Sequence, residues 1–169
     1  ESMFVKNVVE GKTQFGRVLV HETALRPKQV NSVMSYERAT SMVEDAKKFA
    51  IGSCYCRTKQ KLHGEECDFP LDLCMTISDG SDYMIRHGLA RESSKSEVLE
   101  KIAMAREMGL VQMGDNVQKA PSFICNCCGC CCGVLMAINV HGIDHAMVSS
   151  NYIATINPYS CTGCGKCAE

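Results

Sequence analysis

The chain has 169 residues, of which 46% are hydrophobic, and carries 18 basic and 19 acidic side chains. This length and apolar content predict one compact, soluble domain that can bury its own core. The balanced charge argues against nucleic acid or an anionic membrane as the main partner, and no apolar run reaches the length of a membrane span. No secretory leader is recognisable, which predicts the cytoplasm.

The predicted elements indicate an α+β fold, with a small helical core, short strands and cysteine-rich cluster-binding loops. Short β-like stretches occur at 3–5 and 17–20. The helical spacing of apolar residues predicts helices at about 37–50, 72–88 and 95–108.

Two of these features leave room for more than one interpretation. The last predicted helix opens on Ser94 and Glu97, which resemble a capping box. The pair of helices at 71–109 could be mistaken for a DNA-reading unit, but its exposed face lacks a basic stripe, and we favour a plain structural role. Further along, 134–140 could be a strand or a helix, whereas 152–156 resembles a strand.

Thirteen cysteines dominate the chemistry of the chain. The odd count, in a chain of this size, argues against a secreted disulfide scaffold. Six of them fall within the eight residues 125–132, too close together for unstrained pairwise disulfides but well suited to supply thiolates to a metal or iron-sulfur centre. We therefore interpret the chain as a metal-cluster protein.

The C-terminal motif Cys161-Thr-Gly-Cys164-Gly-Lys-Cys167 gives the strongest signal. The C-x2-C-x2-C spacing is how bacterial ferredoxins wrap three thiolates around one cluster, and a zinc knuckle is the alternative. The fourth cysteine would lie beyond Glu169 or upstream. The chain also begins without Met, so we expect it to be a piece of a longer protein: a cysteine-rich α+β cluster-binding domain at 1–157, and at 158–169 the start of a truncated ferredoxin-like module.

The central run repeats the same spacing at Cys125, Cys128 and Cys131. Cys127, Cys130 and Cys132 are interleaved with them. Because neighbouring side chains of an extended segment point in opposite directions, the run could feed two centres, one on each side.

Four more cysteines lie upstream. Cys54 and Cys56 are two residues apart, so on an extended backbone they would reach one metal centre together. Cys67 and Cys74 could close a four-thiolate set with them across a flexible loop. Arg57 could hydrogen-bond to a cluster and tune its potential, or be a plain surface arginine.

The predicted site therefore includes every cysteine. The predicted metal ligands are Cys54, Cys56, Cys67, Cys74, Cys125, Cys128, Cys131, Cys161, Cys164 and Cys167. The predicted cofactor-binding set adds Cys127, Cys130, Cys132 and Arg57.

These motifs resemble a family of ferredoxin-type 4Fe-4S binding proteins of anaerobic bacteria. The resemblance is carried by C-Y-C-R at 54–57, C-M-T at 74–76, I-R-H-G at 85–88, G-L-V-Q at 109–112, F-I-C-N-C-C-G-C-C-C at 123–132 and C-T-G-C-G-K-C at 161–167. Compared with that family, the N-terminal segment and the end of the ferredoxin module are expected to be missing.

The resemblance implies electron transfer through one to three [4Fe-4S] clusters in anaerobic metabolism. The expected role is a non-catalytic electron carrier or a subunit of a larger oxidoreductase complex, acting with a redox partner protein. The alternative is a zinc- or cluster-binding regulatory module that senses redox state, with zinc as the alternative metal.

Overall fold

The computed structural model describes residue 14 and residues 16–26, 33–65, 67–117 and 119–165. This part of the chain forms a six-stranded sheet and five α-helices, so the predicted α+β class is confirmed. In chain order the elements are β1 (Gly16–Val18), α1 (Ala39–Asp45), β2 (Phe49–Gly52), α2 (Tyr55–Leu62), β3 (Cys74–Ile77), α3 (Asp79–Arg86), β4 (Ala90–Ser93), α4 (Lys95–Glu107), β5 (Val111–Asp115), β6 (Phe123–Cys127) and α5 (Gly133–Asn139).

All neighbouring strands of the sheet are antiparallel, in the order β1-β5-β6-β3-β2-β4. In the middle of the sheet, Met75 of β3 lies opposite Ile124 of β6. Because side chains alternate between the two faces of a strand, these two residues share one face, and the flanking cysteines of β3 and β6 lie on the other.

A different apolar cluster packs on each face of the sheet. On the face of Met75 and Ile124, α1 and α4 pack through residues such as Val43 and Ile102, and each fully buried side chain of this kind contributes roughly 1.5–3 kcal/mol. On the opposite face, α5 packs through a cluster that includes Leu135. Within the described residues, every helix falls short of the length and apolar content that a bilayer span requires.

The predicted helix at 95–108 is confirmed as α4. Its N-terminus is fixed by the Ser94 hydroxyl, which accepts a hydrogen bond from the Glu97 backbone N–H at 3.2 Å. Gly109 follows the helix with a φ of +70°, a conformation that glycine adopts without strain.

Two predicted helices are partly wrong. The helix expected at 37–50 ends at Asp45, and β2 begins at Phe49. The helix expected at 72–88 begins only at Asp79, because 74–77 forms β3. In both places the backbone pairs with two neighbouring strands, and this tertiary pairing overrides a helical spacing that the sequence presents locally.

The other segments with a predicted structure agree with the prediction to different extents. Residues 134–139 lie in α5, and the strand expected at 17–20 is found in part, as β1, which ends at Val18. No strand forms at 152–156, which is irregular and largely exposed. The stretch expected at 3–5 lies outside the described residues.

Candidate metal centre

Four cysteine thiols form a compact group that could hold a metal ion. Their Sγ atoms all lie within 4.8 Å of one another. We call this group the thiol quartet: Cys67, Cys128, Cys130 and Cys131.

The quartet lies where the central cysteine run leaves the sheet. After β6 ends, residues 129–131 turn, and the Cys132 backbone N–H bonds back to the Cys128 carbonyl at 3.2 Å. Cys128 and Cys131 pack against an apolar cluster that contains Leu73, whereas Cys130 is exposed. The quartet therefore has a buried side and one that opens to solvent.

The other six cysteines of the upstream and central segments form a second group. They are Cys54, Cys56, Cys74, Cys125, Cys127 and Cys132. Each thiol acts electrostatically on two others of the set, so that the neighbour relations close into a ring, which we call the six-thiol ring.

The sheet and the starts of two helices build this ring. Cys125 and Cys127 are two residues apart on β6 and so share a face, and the register of β3 against β6 carries Cys74 opposite Cys125. Cys54 comes directly before α2 and Cys132 directly before α5. The sequence thus brings strand and helix-start cysteines together on the face covered by α5.

Arg57 lies between the two thiol groups. Its side chain is buried, with 3% exposure, and its charge acts on both Cys128 of the quartet and Cys54 of the ring. Nη1 donates to the Pro70 carbonyl and Nη2 to the Asn126 carbonyl, both at 2.9 Å. The interpretation of Arg57 as a plain surface arginine is therefore wrong.

The thiols of the ring do not ionise independently. Hydrogen bonds from Cys56 and Cys74, helped by Arg57, lower the pKa of Cys54 to about 2. The hydrogen bond with Cys127 is the largest cause that raises the pKa of Cys132, to about 11, and hydrogen bonds with Cys132 and Cys54 raise that of Cys56. One thiolate is thus stabilised at the expense of its neighbours, so cations are needed to hold the whole ring ionised.

The quartet shows the same asymmetry. Burial raises the pKa of Cys128, but hydrogen bonds from Cys130 and from the Arg57 guanidinium outweigh it and bring the pKa below its usual value. Burial and the hydrogen bond with Cys67 raise the pKa of Cys131. Cys128 consequently ionises more readily than Cys131.

The structure groups the cysteines differently from the sets that the sequence spacing predicts. The C-x2-C-x2-C set of Cys125, Cys128 and Cys131 is divided, because Cys125 belongs to the ring and the other two to the quartet. The upstream set is divided too, since Cys67 joins the quartet while Cys54, Cys56 and Cys74 join the ring. Cys74, Cys125 and Cys127 lie on strands and not in loops, and the strand pairing fixes their positions.

Two of the C-terminal cysteines are described, and both lie outside the quartet. Cys161 and Cys164 are exposed, and the Gly163 backbone N–H donates to the Cys161 sulfur at 3.4 Å. Cys167 lies outside the described residues. An amide-to-sulfur bond of this kind favours the ionised thiolate.

Sequence reasoning missed Asn126. This side chain is fully buried, donates to the Leu73 carbonyl at 2.9 Å and accepts from Gln112 Nε2 at 3.0 Å. It thereby fixes β6 between its two cysteines. A polar residue that alternates with cysteines in F-I-C-N-C was the available signal.

The chemistry of the donors limits what the quartet can bind. All four ligand atoms are sulfur, a soft set that selects zinc, copper(I) or iron-sulfur centres. The buried Nε of Arg57 has no hydrogen-bond partner among the described residues, and an anionic centre beside Cys128 would supply one. The residues present therefore fit a metal-thiolate centre.

Comparison with protein-family models, with curated proteins and with solved structures finds no match to this chain.

Proposed function

We propose that this chain is an iron-sulfur electron-transfer protein, which relays electrons through [4Fe-4S] centres in the cytoplasm as a carrier or as an oxidoreductase subunit. The observation that carries the proposal is the convergence of ten cysteines into two adjoining thiol groups. The resemblance to ferredoxin-type proteins of anaerobic bacteria supports the same chemistry.

The two groups adjoin through the backbone itself. Cys127 of the ring is followed directly by Cys128 of the quartet, and Cys131 of the quartet by Cys132 of the ring. Consecutive Cα atoms lie about 3.8 Å apart, so two peptide units link the groups. Centres held so close would exchange electrons without an intermediate carrier.

Arg57 supports this role from a buried position. A guanidinium between Cys54 and Cys128 adds positive charge next to both groups. Such a charge stabilises the reduced, more negative form of an iron-sulfur centre and raises its potential. Arg57 would then set the potentials of both groups together.

The quartet also offers an exit for electrons. Cys130 is exposed, whereas Cys54 and Cys132 of the ring are buried. A redox partner protein docked over Cys130 would therefore approach the quartet more closely than the buried part of the ring. When bound, an iron-sulfur centre supplies reversible one-electron chemistry.

A zinc-binding regulatory module is the second candidate, and the compactness of the quartet favours it. Zinc bonds to thiolate sulfur at about 2.3 Å, which places the four sulfurs of a tetrahedral site about 3.8 Å apart. The observed limit of 4.8 Å accommodates that spacing. A four-iron cluster would require the sulfurs to move apart, which the exposed turn at Cys130 permits.

The test is anaerobic purification followed by analysis of iron, sulfide and zinc, with EPR spectra of the reduced protein. The proposal predicts equal iron and sulfide, at four atoms or more of each per chain, together with a reducible EPR signal. Zinc without sulfide, in protein made with both metals present, would replace electron transfer by the zinc-binding module.

A further inference from the structure

We infer that the six-thiol ring is a separate site for a polynuclear metal centre, with two or more metal ions and all six thiolates as ligands. The inference rests on the proposed function only in requiring that the thiols bind metal. It holds for zinc-type ions as well as for iron-sulfur chemistry.

The first argument is the closure of the ring. Going around it, each thiol has the next as its electrostatic neighbour, in the order Cys54, Cys74, Cys125, Cys127, Cys132, Cys56 and back to Cys54. Every member thus has two sulfur neighbours, and none is left at an end. The packing supports this order, because the strand register sets Cys74 opposite Cys125 while Cys125, Cys127 and Cys132 pack in one apolar cluster.

The second argument is the spread of the ring. Among the described residues, the set of metal-ligating atoms that all lie within 4.8 Å of one another is the quartet, and the ring is not such a set. Its six sulfurs are therefore spread more widely than the four of the quartet. A centre that contacts all six would have to be larger than a single ion.

The third argument is the number of ligands. A single zinc-type ion takes four thiolates in a tetrahedron, so one ion would leave two of the six unused. Two tetrahedra that share an edge use six thiolates, of which two bridge the metals. Ions bridged in this way, or a larger metal-sulfide cage, would engage every member of the ring.

The fourth argument is the support that the backbone gives to the thiolates. Amides at the starts of two helices lie against ring sulfurs. In α5, Gly133 lies against Cys56 and Leu135 against Cys132, and in α2 the Arg57 amide lies against Cys54. These contacts favour the ionised sulfur. Since Cys74, Cys125 and Cys127 sit on paired strands, the site is held by regular structure and not by a mobile loop.

The experiment counts bound ions with 113Cd²⁺, a spin-½ ion that prefers thiolates. The full chain carries Cys161→Ser, Cys164→Ser and Cys167→Ser, so that only the quartet and the ring remain. We expect at least three 113Cd resonances, one from the quartet and two or more from the ring, and at least three cadmium ions per chain by native mass spectrometry. Fewer than two ions per chain beyond the one held by the quartet would overturn the inference.

Two matched variants assign the signals. In the same background, Cys56→Ser should remove or shift the ring resonances and retain the quartet signal, and Cys130→Ser should do the reverse. Loss of the same single resonance in both variants would show one shared site and overturn the inference. If either variant fails to fold, the ion count of the background protein still decides.

The outcome can be separated from that of the proposed function. Three or more cadmium ions, with no iron-sulfur centre after anaerobic reconstitution with iron and sulfide, would keep the polynuclear site and reject the electron relay. A quartet that assembles an iron-sulfur centre beside a ring that binds at most one cadmium ion would do the opposite.

Discussion

Arg57 of α2 donates from Nη2 to the backbone carbonyl of Asn126, the residue between the two cysteines of β6, at 2.9 Å. This bond ties the helix that follows Cys54 to the strand that carries Cys125 and Cys127. The same guanidinium is a charge beside both thiol groups. Arg57 therefore both holds α2 against β6 and places a positive charge next to the two thiol groups.

The first prediction concerns this arginine. Arg57→Ala removes two charge-assisted hydrogen bonds and leaves the Asn126 and Pro70 carbonyls without that donor, so it should lower the free energy of unfolding by roughly 2–4 kcal/mol. It should also lower the reduction potential, because a lost positive charge favours the oxidised state. Urea unfolding and film voltammetry measure the two effects.

Arg57→Lys is the matched control. It keeps the charge but not the forked geometry, so the potential should fall less than in Arg57→Ala while stability is still reduced. A potential that is equal in all three proteins would show that Arg57 acts only on the fold.

The second prediction concerns a close backbone contact. A Cβ placed on Gly80 of α3 would lie 2.6 Å from the Ser122 carbonyl oxygen, so Gly80→Ala should destabilise the protein by roughly 1–3 kcal/mol. Gly133→Ala at the start of α5 is the control, because nothing lies within 4 Å of its Cβ, and it should change stability by less than about 0.5 kcal/mol. Equal urea midpoints for both variants would contradict the packing argument.

The parts of the fold that could be predicted are those with local causes. The Ser94 N-cap and the apolar stripe that follows define α4, and its observed bounds agree with the expected 95–108. By contrast, the spacing of the apolar residues at 74–77 is compatible with a helix as well as with a strand. This segment becomes a strand because it pairs with β2 and β6, which are distant in the sequence.

The grouping of the cysteines could not be predicted for a similar reason. Alternation along an extended chain predicts two sides for the central run, but β6 ends at Cys127 and the chain then turns. Beyond that point neighbouring residues no longer alternate, so Cys130 and Cys131 join the same group. The assignment of Cys67 to it depends on the loop before β3, for which the sequence gives no spacing rule.

The third prediction concerns pH. Hydrogen bonds from Arg91 and Ser93 lower the pKa of Glu97 to about 2, from 4.5 in the absence of these contacts. A carboxyl whose pKa is lower in the folded state adds stability above pH 4.5, and this contribution is lost as the pH falls towards 2. Glu97→Gln should therefore be slightly less stable than the parent at pH 7, with the difference vanishing near pH 2.

The control for Glu97 lies on the same helix. Glu100→Gln removes an exposed carboxylate without removing the Arg91 pair, so its stability difference should not follow the same pH course. Thermal unfolding from pH 2 to pH 7 checks both variants. A constant difference for Glu97→Gln across that range would contradict the assigned cause.

The fourth prediction concerns the exposed thiol of the quartet. Cys130→Ser removes one of four sulfur ligands at a position where the side chain packs little, so the direct effect on the fold should be within about 0.5 kcal/mol. The quartet should nonetheless lose its metal, and the metal content per chain should fall by one complete centre. Because metal binding stabilises the folded state, the loaded variant should also unfold at a lower urea concentration than the loaded parent, while the two metal-free proteins remain alike.

The control is Cys161→Ser, which changes another exposed thiol outside the quartet and should leave the quartet's metal in place. Full metal content in Cys130→Ser, measured anaerobically beside that control, would mean that the four thiols do not act as one ligand set.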